Sequence, residues 1–198
     1  MTGHVRVVPA NEASWEDVQT VFGSKGYPAQ CQCQRFKSGP YGWSGTTQLE
    51  RMRVLQRQTH CDNPDSTVTS GLVAYLDDEP VAWCAVEPRI EFPRLPQARV
   101  AWKARGEVKD DPGVWAVTCF TVRAGFRGRG LTRFLLDAAV DRARSQGAKA
   151  IEGYPMINKG EEITWGEIHV GARTTFAAAG FREVAHPTLR RVVMRIDF

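Results

Sequence analysis

The stretch from Val114 to Gly147 limits what this 198-residue chain can fold into more than any other. Val114–Val122 is almost continuously apolar and β-prone, the pattern of a strand covered on both faces. A Gly/Arg turn follows at Gly125–Gly130. Leu131, Phe134, Leu135, Ala138, Ala139 and Ala143 then fall on one face of a helix. Arg142, Arg144 and Gly147 close that helix with cations in its last turn and a glycine just beyond. Lys149–Tyr154 reads as another strand, broken by Pro155. A strand–helix–strand unit buries its apolar surfaces by layering helices on a sheet, so the chain is assigned to the α/β (α+β layered) class.

The turn inside this unit carries chemistry. A helix start leaves its first N–H groups without intrahelical partners, and the macrodipole adds about half a positive charge there. Gly128 and Gly130 let an anion approach that backbone, and Arg127 and Arg129 bring positive charge to the same place. The pattern is neither a Walker loop nor a dinucleotide fingerprint. Read blandly, the glycines shape a tight turn and the arginines are solvated.

The flanking sequence is consistent with one domain over residues 1–198. His4–Val8 reads as a strand, and Ser14 as the cap of a helix through Val21 with Asp17 at the capping-box position. Gly23–Gly45 is a long loop rich in Gly, Pro, Cys and aromatics. A helix is expected over Thr46–Thr59, where Leu49, Met52, Arg53 and Gln56 recur at helical spacing, then a hairpin of Gly71–Leu76 and Val81–Glu87. Pro88–Pro112 is irregular. The chain closes with a helix over Val170–Ala179 and strands at Phe181–Ala185 and Arg190–Ile196.

Apolar residues at 42% and charged residues at 24% are those of a folded globular protein. No run of about 18 apolar residues occurs, and Met1–Ala10 lacks the apolar core of a secretory signal, so a cytoplasmic protein without membrane contact is expected. Five cysteines are an odd number and fit free thiols. Arg123, Arg127, Arg129, Arg133, Arg142 and Arg144 crowd together, which suits either nucleic acid or a phosphorylated small ligand. The glycines among them favour the second, so no nucleic-acid partner is expected.

The stretch Val122–Leu136, with Arg127 and Gly130 spaced as in Q/R-x-x-G-x-G/A, resembles the acyl-CoA-binding segment of the GNAT family of N-acetyltransferases. Thr132 stands at the last small position, a departure from that pattern. Phe176–Phe181 resembles the family's late helix ending in Gly-Phe. The likeness is detailed over Trp115–Val184. It implies the acyl-CoA N-acyltransferase fold, a mixed central sheet of about 6–7 strands flanked by helices.

The resemblance also implies acetyl-CoA as co-substrate and direct transfer to an amine, expected to be that of a small molecule. Phe120, Thr121 and Val122 would pair with the pantetheine arm, and the backbone from Gly128 through Arg129, Gly130, Leu131 and Thr132 to Arg133 would cradle the pyrophosphate. Arg127 or Arg129 would meet phosphate charge. A strand N–H would polarise the thioester carbonyl. A non-catalytic acyl-CoA-binding regulatory domain of the same fold is the alternative.

For the base, Glu152 and Glu87 stand at strand ends after apolar runs, where burial raises a carboxyl pKa; a structural ion pair with an arginine is the other reading. Tyr154 shares a face with Glu152 by two-residue alternation and, with Trp43, is expected to bind substrate. Phe176 occupies the place where many family members carry a Tyr that protonates the departing thiolate. His169 is weighed as a base against a polar cap-region residue. Cys31, Cys33, His60 and Cys61 lack zinc-site spacing, and no metal is expected. Cys119 is weighed as an acyl carrier against a core thiol. A monomer or homodimer is expected.

Overall fold

A computed structural model describes residues 3–38, 45–103, 105–158 and 167–198. In chain order its elements are β1 (Val5–Pro9), α1 (Trp15–Phe22), α2 (Gly26–Cys31), α3 (Gln48–Thr59), β2 (Leu72–Leu76) and β3 (Glu79–Pro88). There follow α4 (Arg99–Trp102), β4 (Val114–Val122), α5 (Leu131–Ser145), β5 (Ala150–Gly153), α6 (Arg173–Ala178), β6 (Arg182–Thr188) and β7 (Arg191–Asp197). The strands form one seven-stranded sheet in the order β1-β2-β3-β4-β5-β7-β6. Only β4 and β5 pair in parallel. A parallel pair needs a crossover, and α5 supplies it.

Alternation along the hairpin separates the two faces. Leu72, Ala74, Ala82 and Cys84 pack with Leu131, Leu135 and Ala139 of α5. Val73, Tyr75, Trp83 and Ala85 pack with Val18 and Phe22 of α1 and Leu55 of α3. Burying such side chains contributes roughly 1.5–3 kcal/mol each. The Ser14 side chain accepts the Asp17 N–H, starting α1. Thr47 and Glu50 close a reciprocal capping box on α3, which begins at Gln48.

Some helical faces differ from the sequence reading. In α3 the buried residues are Arg51, Leu55 and Thr59, while Leu49 is half exposed. Arg51 turns inward because it donates to the Gln30 and Thr46 carbonyls. In α5 Phe134 faces outward and Leu136 and Val140 are buried instead. The expected Gly23–Gly45 loop contains α2, and the irregular Pro88–Pro112 segment contains α4.

The sheet opens at its centre for two local reasons. Val86 pairs with Val117 but Ala85 pairs with Cys119, so Thr118 is an extra residue in β4. A bulge of this kind bends its strand and breaks pairing. On the other side, β5 pairs with β4 only over Val114–Val117 and then meets Pro155, which has no N–H to donate. The chain after Pro155 bridges at Met156 to Ala172 and Arg191 instead. Among the described residues Thr118–Val122 is therefore hydrogen-bonded as a strand only to β3.

Candidate functional site

Where β4 and β5 part, a cleft of about 780 Å³ opens. One wall is Thr118–Val122, whose second backbone edge has no strand beside it. The floor continues through the Gly125–Gly130 turn to the start of α5. Among the described residues the N–H groups of Gly128, Arg129, Gly130, Leu131 and Thr132 have no hydrogen-bond partner. Gly128 and Gly130 hold φ of +75° and +74°, the left-handed region that a Cβ disfavours. A Cβ built on either meets nothing within 4 Å, so open space lies above both.

The arginines frame this turn. Arg127 Nε donates to the Val122 carbonyl at 3.2 Å. Arg129 donates to the Gly125 carbonyl at 3.2 Å and stacks over the Phe126 ring at 5.1 Å. Phe120, Thr121, Val122, Arg127, Gly128, Arg129, Gly130, Leu131 and Thr132 all line the cleft. Arg133 does not. Its N–H goes to the Gly130 carbonyl at 2.9 Å and its guanidinium to Asp137 at 2.8 Å. The open N–H groups thus end at Thr132.

The opposite end is built by α2, the segment after it and the Ile168–Val170 turn. Tyr27 and His169 face each other there with ring centroids 6.2 Å apart. Cys31, Cys33 and Cys119 line the same end. Burial pushes the Cys31 thiol up, and a hydrogen bond with Cys119 together with burial pushes Cys33 well up. Protonated thiols are poor nucleophiles. A smaller chamber of about 280 Å³ adjoins and shares Arg35 and His169 with the cleft.

Glu152 lies elsewhere. It is fully buried, paired with Arg89 at 3.1 Å and Arg105 at 2.7 Å, and accepts the Tyr154 hydroxyl at 2.6 Å. Burial would raise its carboxyl, but the hydrogen bond and charge of Arg105, with Tyr154 and Arg89, hold it below the ordinary value. Glu87 is buried in an ion pair with Lys37, which also donates to Ser70 at 2.8 Å. Burial pushes the Glu87 carboxyl up against the pull of Lys37. Neither carboxylate lines the cleft, nor does Tyr154, whose hydroxyl is committed to Glu152. The physical reason is that each strand-end carboxylate is captured by a cation from the segments beside it. Trp43 lies outside the described residues.

Phe176 is wholly buried, edge-on to Phe120 and Phe181 at centroid distances of 6.1 and 5.0 Å. It has no proton to give. The sequence reading placed Cys119 and His169 near the chemistry only as lesser options, and it passed over Tyr27, Arg35 and Arg191. Their signal is spatial: they come from segments far apart in the chain. Among the described residues no group of three or more His, Cys, Asp or Glu is placed to hold a metal ion, and no helix is long and apolar enough to cross a membrane.

The arrangement suits an extended, phosphorylated ligand. A peptide-like arm can add to the open β4 edge as a strand, and phosphates can sit on the unpaired N–H groups at the α5 N-terminus. Known proteins share the family and the fold. The family model described as "Acetyltransferase (GNAT) family" matches residues 34–154. No curated protein matches the sequence. The fold is similar to that of a GCN5-related N-acetyltransferase from Kribbella flavida, at 19% identity over 98% of each chain and a TM-score of 0.55. It is similar to an N-acetyltransferase from Staphylococcus aureus Mu50, at 11% identity over 98% of each chain and a TM-score of 0.53. A third similar structure is aminoglycoside acetyltransferase AAC(6')-Ib in complex with coenzyme A. It has 16% identity and a TM-score of 0.52, with 98% of this chain and 95% of that one covered.

Proposed function

The chain belongs to the acetyltransferase (GNAT) family, and on that premise we propose that it transfers an acetyl group from acetyl-CoA directly to the primary amine of a small molecule. The observation that carries this reading is the meeting of two features. Among the described residues the free edge of Thr118–Val122 runs toward five unpartnered N–H groups at Gly128–Thr132. Pantetheine would add along the edge, beside Phe120 and Val122. The pyrophosphate would rest on the N–H groups, with Arg127 and Arg129 at their rim. These residues fit the cofactor because the space above Gly128 and Gly130 is open.

Transfer forms a C–N bond as the C–S bond breaks. A β4 N–H at the bulge end of the free edge would polarise the thioester carbonyl. The attacking amine must lose a proton. His169 lines both the cleft and the adjoining chamber, so we assign the proton to His169. Glu152 and Glu87 act in this reading as structural ions, since both are buried in ion pairs outside the cleft. The departing thiolate takes its proton from the imidazolium or from water, because Phe176 has none to give.

The test is acetyl-CoA with a panel of amines, read as thiol release. Amine-dependent release supports the reading. Tight coenzyme A binding with no release on any amine favours the regulatory-domain alternative.

A further inference from the structure

The smaller chamber is bounded by Arg35, Met156, Glu167, His169, Arg190 and Arg191. Among the described residues its charges do not balance. Glu167 is matched by Arg190 at 3.4 Å. Among the described residues Arg35 and Arg191 have no carboxylate partner: Arg35 donates to the Tyr27 hydroxyl at 3.2 Å, and Arg191 donates Nε and an Nη to the Tyr154 carbonyl at 3.1 and 2.7 Å. Burial, and after it the charge of Arg35, pushes Arg191 down to about 10, which leaves it a cation at neutral pH. A half-buried guanidinium held beside a like charge is unfavourable until an anion sits between them.

The geometry of the donors indicates which anion. Two hydrogen bonds to the Tyr154 carbonyl anchor the Arg191 guanidinium, and its other Nη is not used in them. Tyr27 uses one Nη of Arg35, whose Nε and second Nη take no partner among the described residues. Guanidinium forks match planar carboxylates with two parallel hydrogen bonds. The chamber shares Arg35 and His169 with the cleft, so an anion held there would lie next to an amine at the cleft's end.

We propose that Arg35 and Arg191 bind a carboxylate of the acceptor, making the acceptor an amine that carries a carboxylate: an amino acid or a close analogue. This rests on the transferase reading above, and its test separates the two. Protein saturated with coenzyme A is titrated by calorimetry with the proteinogenic α-amino acids and, in parallel, with their α-amides. At least one acid is expected to bind about tenfold or more tightly than its own amide. Arg35→Gln is expected to remove that difference and Arg35→Lys to restore part of it. Unchanged coenzyme A affinity in both variants verifies that they are folded. Acids and amides that bind alike, or not at all, overturn the inference, as does a preference that survives Arg35→Gln. Acid-selective binding without acetyl transfer would keep this inference and remove the transferase reading. Transfer to neutral amines with no acid preference would do the reverse.

Discussion

The Tyr154 hydroxyl donates to Glu152 Oε1 at 2.6 Å, and the Tyr154 carbonyl accepts two hydrogen bonds from Arg191. One residue thus joins the buried ion network of the sheet to the cation that faces the small chamber. Arg89 at 3.1 Å, Arg105 at 2.7 Å and Arg195 at 3.5 Å surround the Glu152 carboxylate. A carboxylate so enclosed stabilises the fold and holds Tyr154 in place, while the chemistry is left to groups in the cleft.

Glu152→Gln is expected to cost about 3–5 kcal/mol of stability, because it leaves Arg89 buried without its nearest fully buried counter-charge. Denaturant midpoints measure this. The sign with pH follows from the lowered carboxyl: its contribution is complete above the ordinary glutamate value of 4.5 and is lost as pH falls through the folded value below it. The same variant is expected to leave the acidic limb of kcat/KM where it is in the wild type. Full stability with a lost limb would return Glu152 to the chemistry.

His169→Gln is expected to lower kcat/KM by about 10²–10⁴-fold and to abolish the acidic limb of its pH profile. Coenzyme A binding should persist, since the cradle lies at the other end of the cleft. A variant that keeps both the rate and the limb would indicate deprotonation through solvent.

Gly153→Ala is expected to destabilise the protein by about 1–3 kcal/mol through overpacking. A Cβ there would stand 2.2 Å from Cε1 of the fully buried Phe176. A thermal melt reads the effect. An unchanged melting temperature would mean that the Phe120–Phe176–Phe181 cluster is looser than its edge-on packing indicates.

Much of the scaffold was legible in the sequence. Val114–Val122 is read with its observed limits because an unbroken apolar run has one reading between two turn signals. Ser14 was legible as a cap because its acceptor lies three residues from the donor it satisfies. Local chemistry is what a sequence displays. The helix Gly26–Cys31 was hidden by its Gly and Pro, which signal turns although Pro28 is tolerated in a first helical turn. The partners of Glu152 were hidden by distance, since Arg105 lies 47 residues away and Arg89 lies 63. The proposed cofactor cradle is contiguous in the sequence. The proposed acceptor end draws on Tyr27, Arg35, His169 and Arg191, which the fold brings together from distant parts of the chain.

The central claim, that the β4 edge and the Gly128–Thr132 cradle hold acetyl-CoA, is tested most directly by titrating coenzyme A into wild type and Gly130→Asp by calorimetry. The aspartate places a side chain and a negative charge in the open space above a left-handed residue, where the pyrophosphate would rest. Saturable binding to the wild type is expected, with a loss of about 3 kcal/mol in the variant, on the order of 100-fold in affinity. Equal affinity in a variant that melts as the wild type does would contradict the claim.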